Sequence, residues 1–376
     1  ALHVDDPTDL ALQFSMTTAP GESLMVAVSD DRLAWRSITD IYPQDTREHS
    51  YAVEIGDTIE AAGLDENVFL RLSHSSPVWT SHPLVLDDIS VDRTDVLGPW
   101  ISEFEFSGSE PDKIDRLQVV FNEEVDPTTL TDADLVLVDP IGNGLTPTSI
   151  RSVDNVNWEI TFDAQAIPGL NRFELGPNIM DTSGNTMNAF GYAIDGDSPD
   201  QTAFKGSVSI APTTSVDYPT IQSFEFGDFA QLEGWSFAVD PGAQWTIETA
   251  GDPVDGRAHL LVANTESGFL NSQADFQIDL SDQMDNAQLE LDLWVKRIGP
   301  NSSGGIYLSN DGVIWDFVYG LRPDLDSYTH FAIDLAAAID RSSLTLDQPL
   351  LIRLEHNSTT AGEGMYFDAV RVNNVD

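Results

Sequence analysis

Short stretches of alternating or continuous apolar residues recur along the whole chain. Ser23–Ser29 (SLMVAVS), Leu117–Phe121 (LQVVF), Leu135–Val138 (LVLV), Trp158–Phe162 (WEITF), Gln288–Val295 (QLELDLWV) and Leu350–Leu354 (LLIRL) are the clearest. Turn formers separate them: Gly-Asn-Gly at 142–144, Pro-Gly at 168–169, Ser-Gly-Asn at 183–185 and Asn-Asp-Gly at 310–312. Successive side chains of a strand point to opposite faces, so runs of this kind at this spacing predict antiparallel strands packed as sandwiches. Helical periodicity is confined to Asp57–Leu64 (DTIEAAGL) and Asp334–Leu344 (DLAAAIDRSSL). The pattern predicts an all-β chain.

The pattern also repeats. Gly305–Leu321 (GIYLSNDGVIWDFVYGL) falls on Met25–Ile41 (MVAVSDDRLAWRSITDI), placing Ser309, Asp311 and Trp315 on Ser29, Asp31 and Trp35 at an offset of 280. Leu351–His356 falls on Phe69–His74 at 282, pairing Arg353 with Arg71 and His356 with His74. Tyr366–Val372 falls on Val85–Val91 at 281, pairing Asp368 with Asp87. Identities in one order with so little drift mark an internal repeat. The first copy has no counterpart of Ile221–Leu280. The expectation is therefore a window on a longer array, with a first sandwich short of its early strands. Such a sandwich exposes strand edges that a neighbouring molecule could complete.

Between the copies, Glu124-Val125-Asp126-Pro127, Thr129-Leu130 and Asp181-Thr182-Ser183-Gly184-Asn185 resemble the pattern of bacterial Ig-like domains of S-layer and surface proteins. The flanking copies resemble the jelly-roll sandwiches of the MAM, galactose-binding-like and carbohydrate-binding superfamilies. The residues concerned are the run Phe224–Phe229 (FEFGDF) with Gly234-Trp235, the Ser309–Trp315 turn, and the closing Tyr366–Val372 run. These resemblances imply tandem β-sandwiches: a partial jelly roll over 1–95, an Ig-like sandwich over 96–212 and a complete jelly roll over 213–376, with one short helix per jelly roll.

Composition narrows the function. The 376 residues hold 63 Asp+Glu against 17 Lys+Arg, a formal charge of −46. Such a surface repels phosphate backbones, and no window is apolar enough to span a membrane, so nucleic-acid binding and membrane insertion are not expected. High salt screens the self-repulsion and divalent cations neutralise clustered carboxylates, which fits an extracellular or cell-surface protein of a marine or salt-tolerant bacterium. Cysteine is absent, excluding disulfides and thiolate chemistry.

No catalytic constellation emerges. The seven His form no paired metal-ligand spacing, and no G-x-S-x-G elbow occurs. The recurring His74 and His356 read as strand-end packing before they read as ligands, and Trp35 and Trp315 read as core residues. Calcium is the expected cofactor, because hard cations want several oxygen ligands. One candidate is the loop Ala193–Asp200 (AIDGDSPD), with Asp195, Asp197 and Asp200. The other is implied by the jelly-roll resemblance, in which a first-strand Glu and a last-strand Asp share Ca²⁺: Glu225 with Asp368, the latter repeated as Asp87. In QLELDLWV, Leu289, Leu291, Leu293 and Val295 share one face, which leaves Trp294 outward as a candidate glycan platform.

The reading is a non-catalytic modular surface protein serving spacing, cohesion or adhesion, with other copies of itself or cell-surface and matrix components as the expected partners. The alternative is a carbohydrate-binding appendage of a secreted polysaccharide-degrading enzyme, with glycans as partners.

Overall fold

The computed structural model describes residues 10–43, 45–64, 68–76, 84–93, 95, 97–110, 112–188, 192–194, 203–283 and 288–374. They form three consecutive β-sandwiches, each with its own apolar core. No helix is long and apolar enough to cross a membrane.

The first sandwich comprises β1 (Leu10–Thr17), β2 (Ser23–Ser29), β3 (Arg36–Ile41), β4 (His49–Glu54), the short helix α1 (Gly56–Ala61), β5 (Phe69–Ser75) and β6 (Val85–Arg93). The middle one comprises β7 (Ile101–Ser107), β8 (Ile114–Phe121), β9 (Leu135–Val138), β10 (Gly144–Leu145), β11 (Pro147–Ser152), β12 (Asn157–Gln165), β13 (Gly169–Leu175) and β15 (Phe204–Ile210), while β14 (Tyr192–Ile194), which lies between the last two in sequence, joins the first sandwich's sheet. The third contains β16 (Thr220–Gln222), β17 (Trp235–Val239), β18 (Ala243–Glu248), β19 (His259–Asn264), β20 (Leu270–Ile278), β21 (Leu289–Ile298), β22 (Ser303–Ser309), β23 (Asp316–Leu321) and β24 (Thr329–Asp334). It closes with helix α2 (Leu335–Asp340), β25 (Leu350–Ser358) and β26 (Gly364–Asn374). The two helices stand in the two predicted patches, one per outer sandwich.

In the third sandwich the sheet β18–β19–β26–β21–β24 faces β17–β20–β25–β22–β23. Strict alternation along β20, β21 and β25 sends Phe276, Leu291 and Leu354 inward, each buried. Each such burial contributes about 1.5–3 kcal/mol. The first sandwich repeats this order in part, as β4–β1–β6 against β3–β2–β5. The register between β1 and β6 shifts after Gln13, and that between β21 and β26 shifts after Asp292. The bulged strands carry positive φ at equivalent residues, 51° at Asp88 and 48° at Ala369. The two copies share their irregularities as well as their strands.

Both seams between sandwiches are built from paired strands. Gly169 of β13 bridges Phe237 of β17 in parallel, so one sheet runs from the middle sandwich into the third. The backbones approach so closely there that a Cβ on Gly169, at φ 135°, would lie 1.9 Å from the Phe237 carbonyl oxygen. Ile141 enters the third core, and its carbonyl accepts from Trp245 N at 2.9 Å. At the other seam β14 pairs with β4, placing Tyr192 opposite Val53 and inside the first core.

Candidate functional site

The outward face of β20–β25–β22–β23 carries a connected row of polar groups. Odd positions of β20 (Asn271, Gln273, Asp275) alternate with core residues, and register sets them beside Asn357, Glu355 and Arg353 of β25. Tyr307 of β22 lies beside Arg353, and Phe317 of β23 beside Tyr307. The amides bind one another: Gln273 Nε2 donates to Asn271 Oδ1 at 2.8 Å and Asn271 Nδ2 to Asn357 Oδ1 at 2.9 Å. Asn357 Nδ2 and the Tyr307 hydroxyl both donate to Glu355 Oε1, at 2.9 and 3.1 Å. Burial and the neighbouring Glu355 charge push the Tyr307 hydroxyl up from its ordinary value.

Arg353 anchors this row. Its Nε and Nη2 donate to the two Asp275 oxygens at 2.7 and 2.8 Å, while its guanidinium lies 3.6 Å above the Trp315 ring. Burial raises the Asp275 carboxyl, with Arg353 opposing that shift. At the rim Phe317 is 62% exposed and meets Tyr307 edge-on at 5.3 Å. Gly305 makes room for these rings, since a Cβ there would come within 2.9 Å of Tyr307. The result is an aromatic edge beside amides and a carboxylate, each able to donate to or accept from a polyol.

The first sandwich lacks these groups at the equivalent positions: Ala27 stands for Tyr307, Ser37 for Phe317, Ser73 for Glu355 and Ser75 for Asn357.

The residues expected from sequence are distributed as follows. Trp294 lies outward, on the opposite sheet, tilted against His330 with centroids 4.7 Å apart; His330 bonds to Asp292. Glu225 and Asp368 meet the same loop. Glu225 Oε1 accepts from Arg257 N and Ala258 N at 2.7 and 2.9 Å, and Asp368 Oδ2 accepts from Val254 N and Asp255 N at 2.6 and 3.1 Å. Asp368 also accepts from Ala369 N at 2.7 Å. Backbone donors thus engage both carboxylates. Asp87 is exposed on β6 and accepts from Asp88 N at 2.9 Å. Asp195, Asp197 and Asp200 lie outside the described residues.

Among the described residues, the carboxylates arranged so that they could hold a cation are Asp95, Glu123 and Asp181, whose oxygens lie within 4.8 Å of one another. Burial first, then the nearby Asp95 and Asp181 charges, pushes Glu123 up to about 7.

Trp35 and Trp315 are not core residues. Each is half-buried in its turn, donating Nε1–H to the carbonyl of Arg32 (3.1 Å) or Gly312 (2.9 Å) and stacking under Arg71 (4.3 Å) or Arg353 (3.6 Å). The Asx turn before each supplies the carbonyl, an arrangement set by local chain geometry rather than by burial. His356 is buried towards its strand end with Ser302 Oγ 3.4 Å from Nε2, whereas His74 is exposed and hydrogen-bonds Glu22 at 3.1 Å.

The polar face itself escaped the sequence reading. Its available signal was the outward positions of Leu270–Ile278 and Leu350–Ser358, where amides stand in a chain otherwise dominated by acids.

No family model matches the chain, and no curated protein matches it. Solved structures resemble it at low identity. The module TmCBM61 in complex with beta-1,4-galactotriose is 11% identical with a TM-score of 0.31, over 41% of this chain and 94% of that one. A structure of carbohydrate-binding modules from the β-sandwich superfamily is 15% identical with a TM-score of 0.31, over 74% and 99%. The family 11 carbohydrate-binding module from Clostridium thermocellum, in complex with a beta-1,3-1,4-mixed-linked tetrasaccharide, is 15% identical with a TM-score of 0.30, over 43% and 98%.

Proposed function

We propose that the third sandwich is a non-catalytic carbohydrate-binding module, and that its ligand lies along the outward face of β20–β25–β22–β23. The observation that carries this reading is the continuous row Gln273–Asn271–Asn357–Glu355–Tyr307 with Phe317 exposed at its end. Vicinal hydroxyls of a sugar are paired donors and acceptors, and amides and carboxylates match them two at a time. The C–H face of a pyranose is apolar and packs on an aromatic surface. The two carboxylates of this face, Asp275 and Glu355, are tied to Arg353 and to Tyr307 with Asn357, so they serve as hydrogen-bond partners rather than as a general acid and base. An extracellular setting suits this role. The spacing and adhesion reading rests on the repeat alone, whereas the glycan reading rests on placed side chains.

Isothermal titration against a panel of plant, algal and bacterial polysaccharides tests the proposal. Binding to at least one is expected, with Phe317→Ala and Asn357→Ala each weakening it about tenfold or more and Trp294→Ala leaving it unchanged. Loss of binding through Trp294→Ala with Phe317→Ala silent would move the site to the opposite sheet. No binding across the panel would reject the reading.

A further inference from the structure

Each sheet of the first sandwich stops where its counterpart continues. In the third sandwich β25 pairs onward with β20 and β26 with β19; β5 and β6 have no such neighbour among the described residues. The exposure follows. Ile352, Leu354 and Val370 are buried at 0%, 0% and 1%, whereas Leu70 and Leu72 are half-buried and Ile89 is 56% exposed. The opposite flank, by contrast, is capped by β14 on β4.

Arg71 gives this edge a specific chemistry. It occupies the place of Arg353 and stacks on Trp35 as Arg353 stacks on Trp315. Arg353 directs Nε to Asp275 on β20 at 2.7 Å, but Arg71 Nε is buried with no hydrogen-bond partner. A buried donor without an acceptor is costly, and a charged one more so. Among the described residues the edge therefore offers unpaired backbone groups, half-buried apolar side chains and one cationic donor that lacks its acid.

We propose that the β5 edge is an acceptor for an incoming antiparallel strand with the chemistry of Leu270–Ile278. Backbone pairing supplies affinity, alternate apolar residues cover Leu70 and Leu72, and an aspartate opposite Arg71 fixes register. The inference stands independently of glycan binding, since it concerns a different sandwich and a different face.

The test uses a synthetic peptide with the sequence of residues 268–280, titrated into the intact chain and followed by calorimetry and by amide hydrogen exchange. Saturable one-to-one binding with new protection confined to β5 is expected. Replacing the peptide aspartate at 275 by Asn should weaken binding about tenfold or more on the unaltered protein. Arg71→Asp should abolish it, and a peptide with Asp275→Arg should restore binding to that variant. Absence of binding, protection at another edge, or indifference to the peptide's Asp275→Asn change would each overturn the proposal. The peptide variant keeps the test decisive even where Arg71→Asp impairs folding.

Discussion

The first and third sandwiches use the same sequence devices for their scaffold and diverge in what they attach to it. Both carry the Ser-x-Asp turn in which the Asp31 or Asp311 carboxylate accepts from two following backbone N–H groups. Both bulge at the same register step, and both lay an arginine on the turn tryptophan. The outward positions are another matter: Tyr307, Phe317, Glu355 and Asn357 face Ala27, Ser37, Ser73 and Ser75 across the repeat. Turn geometry, inward packing and the arginine laid on the turn tryptophan constrain a duplicated sandwich wherever it stands, whereas the remaining outward side chains are free to differ. The contrast between copies therefore separates structural residues from candidate functional ones without any homologous protein.

The sharpest way to break the comparison is in the core. Leu354→Ala should cost about 4 kcal/mol of stability, because the residue is fully enclosed, while Leu72→Ala at the open edge should cost about 1 kcal/mol. Denaturant unfolding of the two variants measures this, and equal losses would mean that the β5 edge is covered in solution. The repeated arginines come next. Arg353→Ala strands the Asp275 carboxylate between strands and should cost about 3 kcal/mol; Arg71→Ala strands no acid and should cost under about 1 kcal/mol.

A smaller difference concerns acid. Burial pushes His356 down to about 4, below the ordinary imidazole value of 6.5. The unfolded chain therefore takes up a proton that the folded one refuses, so stability is present above pH 6.5 and is lost as pH falls towards 4. A loss of about 2 kcal/mol over that range is expected, and His356→Gln should flatten it in unfolding curves measured from pH 7 to pH 4. Calcium is expected to have the smallest effect. We propose it as a ligand of Asp195, Asp197 and Asp200, where millimolar Ca²⁺ in place of EDTA at fixed ionic strength should raise stability by about 1 kcal/mol. Replacing these three aspartates by Asn should remove the gain, and Glu225→Gln should preserve it. An unchanged melting temperature would dismiss calcium.

Much of the scaffold was legible because it is written locally. Alternation gave β12, β21 and β25, Asn-Asp-Gly at 310–312 marked the β22–β23 turn, and the outward setting of Trp294 followed from its leucine neighbours. The seams were not legible. Tyr192–Ile194 pairs with β4, and Gly169 with Phe237, through contacts that no local pattern encodes. The polar face was hidden for a related reason. Asn271, Gln273, Glu355 and Asn357 each look like ordinary solvent-facing residues, and only cross-strand register assembles them into one row. The turn tryptophans misled because large aromatics usually mark a core, whereas here an arginine supplies the cover.

The β14 strap has a consequence for biosynthesis. Tyr192 fills the first core opposite Val53, from a position about 100 residues beyond Arg93, where the last of that sandwich's earlier strands ends. At ribosomal speeds of roughly 5–20 residues per second, those residues take on the order of 5–20 s to emerge. Throughout that interval the nascent first sandwich has its strands in hand but not its last core side chain. Its β4 flank is then as unpaired as its β5 flank, open to any strand nearby. Completion of the earliest module waits on translation of the next, so its maturation is timed by the ribosome rather than by its own folding rate.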